Sequence, residues 1–135
     1  MKKDIEIQEV KDVYIAAVLE KAEGHNGCWY IHFINDKNKM LEGIMITSCG
    51  YLQTEKGREN VTSAFRHKVG VVPSKTAVKI EMIDSQVFEI YNEFWVTFFC
   101  DNRLMERKFT FGPFSIDENF LEAVPLLKDK GILIR

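Results

Sequence analysis

Cysteine is scarce and odd in number. Cys28, Cys49 and Cys100 stand far apart, each inside an apolar run, in a chain of 135 residues. Such a set makes no disulfide framework and suits reduced, buried thiols. Three prolines and eight glycines leave no linker, collagen repeat or low-complexity tract. An excess of one charge is missing too. Eighteen Lys and Arg against twenty Asp and Glu give a formal net charge of −2, so the chain lacks the broad attraction to phosphate backbones on which most nucleic-acid binders rely. Nucleic acid is not the expected partner. The opening segment "MKKDIEIQEVKD" has no apolar core of a secretory signal, and no apolar run reaches the length of a membrane span. A cytoplasmic protein without a membrane partner is expected.

What is present is aromatic. Ten Phe, four Tyr and two Trp favour strands, because rings and β-branched side chains fit a pleated, half-buried surface. The length suits one domain, residues 1–135, with a core that needs no metal or disulfide. The chain reads as β runs separated by turns: "VYIAAVLEKA" from Val13, "CWYIHFIN" from Cys28, and "MLEGIMITSCGYL" from Met40 after the polar turn "DKNK". The polar stretch "QTEKGREN" reads as a loop. In "TAVKIEM", Val78, Ile80 and Met82 alternate with Ala77, Lys79 and Glu81. "VFEIYNEFWVTFFCD" and "LMERKFTFG" form a hairpin about Asn102, and "GILIR" adds a last strand. Ser115 and Glu118 match a capping box ahead of Phe120, Leu121, Val124 and Leu127, which predicts a short helix until Pro125. About seven antiparallel strands without crossover helices predict a mainly β, two-sheet sandwich of immunoglobulin-like shape. A seven-strand barrel capped by the C-terminal helix is the alternative.

No motif fixes a reaction. His25, Cys28 and His32 look like half of a zinc finger, but Cys28 and His32 on one strand stand about 13 Å apart, too far for one tetrahedral ion. They read as structural or solvent-exposed side chains, and neither a metal nor a cofactor is expected. Ser48, Cys49 and Ser63 are candidate nucleophiles, with His67 or His32 as base. "IMITSCG" lacks the glycine two residues before Ser48 that a nucleophile elbow needs, and Cys49 reads as a buried core thiol. "EKGREN" and "PSKTAV" lack the glycine spacing of a phosphate loop. Glu89 and Glu93 share a strand face and read as solvated acids. Arg66, His67 and Lys68 alternate across an extended segment and read as the charged guard of a strand edge. An anion-binding patch of Arg58, Arg66, Lys68 and Lys75 remains open, as does an accessory nucleic-acid-linked role for the same basic loop.

The stronger signal is a surplus of apolar faces. Phe94, Val96 and Phe98 alternate with Trp95 and Phe99, Trp29, Ile31 and Phe33 with Tyr30, His32 and Ile34, and Val13, Ile15 and Ala17 with Tyr14, Ala16 and Val18. If these strands share a sheet, an outer surface of Tyr30, His32, Ile34, Trp95 and Phe99 must be covered. The cover is either the C-terminal segment or another chain, and in the second case these five residues form the interface of a homodimer or of an unknown protein partner.

The runs "HKVGVVPSKTAVKIEM", "NEFWVTFFCDNRLMERKFTFG" and "VPLLKDKGILIR" together resemble a small family of uncharacterised bacterial proteins, over nearly the whole chain. Some members carry the label phenylalanyl-tRNA synthetase alpha subunit. The resemblance implies no catalytic residues. A synthetase of that class needs an ATP-binding sheet with motif arginines and a tRNA-binding element, which 135 residues at a net charge of −2 do not hold. The expected function is a non-catalytic interaction or homodimeric module, with a small Cys/Ser-His hydrolase or transferase as the alternative.

Overall fold

The computed structural model describes residues 10–21 and 26–135. Among them run nine strands: β1 (Val13–Glu20), β2 (Cys28–Asn35), β3 (Leu41–Thr54), β4 (Gly57–Asn60), β5 (Phe65–Val72), β6 (Thr76–Ile83), β7 (Tyr91–Cys100), β8 (Arg103–Phe111) and β9 (Gly131–Ile134). They build two antiparallel sheets. The first has the order β6-β2-β1-β9. In the second, β7 lies between β3 and β8, while β4 and β5 follow one another along the free side of β3.

Alternation places the core. β7 turns Phe94, Val96 and Phe98 inward and leaves Trp95 and Phe99 outside, and β8 turns in Phe109 and Phe111. These meet Val13 and Ile15 of β1 and Ile31 and Phe33 of β2 in one cluster between the sheets. Each such side chain contributes roughly 1.5–3 kcal/mol on full burial.

Four expectations are corrected. There are nine strands rather than about seven: Phe65–Val72 forms β5, separate from β6, and "QTEKGREN" is no loop, since Glu55 and Lys56 form a two-residue turn and β4 folds back on β3 with Gly57 at φ 103°. The strand edges do not close a barrel. The C-terminal helix is a single 3-10 turn, Glu118–Phe120. Its cap is Asp117, which accepts from the Asn119 amide at 2.9 Å, whereas the Ser115 hydroxyl donates back to the Gly112 carbonyl at 2.7 Å. Finally, the alternation of β6 breaks at Ile80, where a bulge shifts the register against Ile31 and His32. Past it Glu81 and Ile83 pair with the inward Ile31 and Trp29, and Met82 pairs with Tyr30 and is 59% exposed.

The outer faces of the two sheets differ. Val124 and Leu127 of the C-terminal segment, with Leu133 of β9, close over Ala16, Val18 and Ile34 of the first sheet. The second sheet carries no such cover among the described residues.

Candidate functional site

The uncovered face is a lattice of cross-strand rows. Tyr51, Cys49, Thr47 and Met45 of β3 stand opposite Tyr91, Glu93, Trp95 and Thr97 of β7. β8 continues three of these rows with Thr110, Lys108 and Glu106, then sets Leu104 against Phe99. β5 adds Arg66 beside Thr47 and Lys68 beside Met45. Trp95 and Phe99 are each 44% exposed and Leu104 63%, so large apolar surface meets water here. Gly43 helps to seat Phe99: a Cβ on it would come within 3.1 Å of the ring.

Polar contacts fix the rest of the face. Tyr51 and Tyr91 stack with centroids 4.9 Å apart. The Arg58 guanidinium lies 4.0 Å above Tyr51 and donates to Glu93 and to the Cys49 sulfur, each at 2.9 Å. Burial first, and Glu93 second, raise the Tyr51 phenol above its ordinary value, which keeps it a neutral hydroxyl. The Trp95 indole donates to Glu106 at 3.3 Å, and Lys108 stands 5.4 Å over the same ring.

The five residues expected to share one surface do not. Trp95 and Phe99 belong to the second sheet, whereas Tyr30, His32 and Ile34 lie on the outer face of the first, on the opposite side of the sandwich. His32 and Ile34 are buried, so neither is open to a partner. The His32 Nδ1 lies 3.3 Å from the Tyr30 carbonyl oxygen. Burial, outweighing that contact, pushes its imidazole below the ordinary value of 6.5. The native state therefore holds the neutral ring while the unfolded chain takes up a proton near its ordinary pKa. The contribution to stability is present above about pH 6.5 and is lost as the pH falls through that value towards the lowered native one. Urea midpoints followed from about pH 8 to about pH 5 should decline, and His32→Gln should flatten the decline. An unchanged slope in the variant would assign it to other groups.

The four candidate anion-binding residues do not converge. Arg58 is neutralised by Glu93. Lys75 lies at one end of the sandwich, paired with Asp36 at 3.1 Å. Arg66 and Lys68 remain side by side on the β5 edge, in keeping with a guarded edge. The cysteines are also corrected: Cys28 is exposed and Cys49 and Cys100 are half-buried, Cys100 alone packing against the core. Cys49 occupies an outward position of β3 between Ser48 and Gly50, which face in.

The nucleophile reading finds no histidine in its cavity. Ser48, Cys49 and Ser63 line one cavity of about 110 Å³, but no histidine lines it with them. Cys49 contacts Arg58 and Glu93 rather than a histidine. His67 stands 3.7 Å from Glu81, the acid turned inward by the β6 bulge, which does line that cavity. Among the described residues no three His, Cys, Asp or Glu side chains gather to hold an ion, and His25 lies outside them.

Sequence reasoning missed the Tyr51, Tyr91, Arg58 and Glu93 cluster. It joins β3, β4 and β7, and only the strand pairing reveals it. It also missed the loop-end cavity of about 720 Å³, which runs from Asp12 past the β2–β3, β5–β6 and β7–β8 turns. Compared with known proteins, the chain matches no family model, no curated protein and no solved structure. Among the described residues no helix is long and apolar enough to cross a membrane.

Proposed function

We propose that the chain is a non-catalytic interaction module that pairs with a second copy of itself through the outer face of the second sheet. One contrast carries the reading: the chain's own C-terminal segment covers Ala16, Val18 and Ile34 on the first sheet, leaving Met82 exposed at its margin, while among the described residues nothing covers Trp95, Phe99 and Leu104 on the second. Four strands by five rows span roughly 19 by 34 Å, about 650 Å² in projection. A standard interface takes about 800 Å² from each partner. Contacts on this face alone therefore support a reversible dimer rather than an obligate one.

A two-fold axis parallel to the strands sets one charge row in favour of pairing and one against it. Lys68, Met45, Thr97 and Glu106 share one row, so such an axis lays Lys68 of one copy over Glu106 of the other, twice. In the next row it brings Arg66 against Lys108, which opposes pairing. An immunoglobulin-like reading of the sandwich belongs to the same proposal. It is supported by β1, β2 and β6 pairing in one sheet while β5, β3, β7 and β8 pair in the other, the order of strands A, B, E and C′, C, F, G.

Light scattering over a concentration series tests the dimer. Wild type should associate reversibly, Trp95→Lys should be a folded monomer, and Lys108→Glu, by turning the repulsive row attractive, should tighten association about tenfold, or ~1.4 kcal/mol. A wild type that stays monomeric at its highest soluble concentration, or a dimer indifferent to Trp95→Lys, sinks the proposal.

A further inference from the structure

We infer that the loop-end cavity is a binding site for a small monoanion with an apolar body, such as a short aliphatic or aromatic carboxylate. The inference is independent of the dimer face. The cavity of about 720 Å³ falls within the range of roughly 300–1,000 Å³ in which small ligands are held. In a sandwich, loops gathered at one end on a rigid scaffold are where recognition is commonly built.

The walls are braced. Asn35, fully buried, donates through Nδ2 to the carbonyls of Lys39 and Pro73, both at 2.9 Å, and of Val72 at 3.3 Å, and its Oδ1 accepts from the Lys37 amide at 3.1 Å. One side chain thereby joins the β2–β3 turn to the β5–β6 turn. Lys75 adds a second tie, donating to the Asp36 carbonyl at 2.7 Å and to its carboxylate at 3.1 Å, and a Lys39–Asp101 ion pair ties the β7–β8 turn. The backbone is held in uncommon conformations at the same end. Of the six non-glycine residues with positive φ among those described, Asp12, Lys75, Asp101 and Asn102 belong here. At Asp101 and Asn102 this is the geometry of a two-residue hairpin turn, closed by the Cys100–Arg103 pair, which sets the direction of that wall.

Charge selects the ligand. Four cations, Lys37, Lys39, Lys75 and Arg103, line the cavity with three carboxylates, Asp12, Asp36 and Asp101, which leaves one positive charge. Lys39 and Lys75 are committed to Asp101 and Asp36. Lys37 and Arg103 have no side-chain ion pair or hydrogen bond among the described residues. They are the groups available to an anionic head. Cys100 and Met105, both half-buried, supply apolar lining for the body of the ligand, while Phe98 at the same wall is itself buried. A dianion such as phosphate meets three carboxylates and has no use for that lining, so a monocarboxylate fits better.

The test is an amide chemical-shift titration of the full chain with benzoate and hexanoate, beside benzyl alcohol and inorganic phosphate. At least one carboxylate should give saturable shifts confined to residues 36–39, 73–76 and 100–103, with benzyl alcohol and phosphate at least about tenfold weaker. Lys37→Gln with Arg103→Gln, both at solvent-reachable positions, should weaken carboxylate binding by a similar factor and leave the remaining spectrum in place. If neither acid saturates by about 10 mM, if the alcohol binds as well as the acid, or if the double variant binds unchanged, the inference is overturned.

Discussion

Gly131→Ala is expected to lower the melting temperature by about 10 °C, the equivalent of ~3 kcal/mol for a chain of this size. A Cβ at Gly131 would stand 2.4 Å from the Ala17 carbonyl oxygen and 3.0 Å from the Val18 Cα. Both are backbone atoms of a central strand, so no rotamer change can relieve the clash. Strand β9 must move instead, and it is short. Moving it strains the β1–β9 ladder and the paired hydrogen bonds of Gly131 with Glu122, at 2.9 and 3.0 Å. Leu133, which helps to cover the first sheet, moves with it. Gly112→Ala is the control, because nothing lies within 4 Å of a Cβ there. Melting followed by circular dichroism should separate the two variants, and equal melting temperatures would mean that β9 tolerates the displacement.

Asn35→Leu should cost about 3–5 kcal/mol in urea unfolding. The loss arises chiefly from the carbonyls of Lys39, Val72 and Pro73, which lose their shared donor. A buried polar group left unpaired costs roughly 1–3 kcal/mol, and leucine offers nothing in exchange. Partial hydration of the carbonyls nearer the surface sets the lower end of the range. Asn38→Ala, an exposed change in the same turn, should stay within about 0.5 kcal/mol. With total stability typically about 5–15 kcal/mol, the Asn35 variant approaches the limit of folding. A loss under about 1 kcal/mol would show that the turns hold one another without it.

Much of the fold was legible because strand alternation is a local property. The run from Asn92 to Phe99 shows in its own letters which rings face in, and β2 begins and ends where its composition changes. Pairing is not local. Tyr30 and Trp95 look equivalent as outward rings, yet β2 pairs with β1 and β6 while β7 pairs with β3 and β8, which sends them to opposite sides. A bulge is equally silent. One extra residue at Ile80 exchanges the roles of Glu81 and Met82, and no letter in "TAVKIEM" announces it. Cys49 was misplaced by a general preference of free thiols for the interior, although the inward positions of Ile44, Ile46 and Ser48 set its direction outward. The candidate face suffered most, since Arg58, Cys49, Glu93 and Tyr91 meet only through the third dimension.

The pairing of β1 with β9 also bears on how the protein is made. Of the nine described strands β1 is made first, but one of its edges waits for β9, which is made last. Until then Ala16, Val18 and Ile34 lack Val124 and Leu133 above them. The nascent chain thus carries an unfinished sheet until β9 has been made. Such non-local closure belongs with the slower folders, on the order of milliseconds to seconds. A chaperone that recognises exposed aliphatic stretches has a natural window on the segment from Val13 to Ile34, and that window closes when Gly131 docks beside Val18.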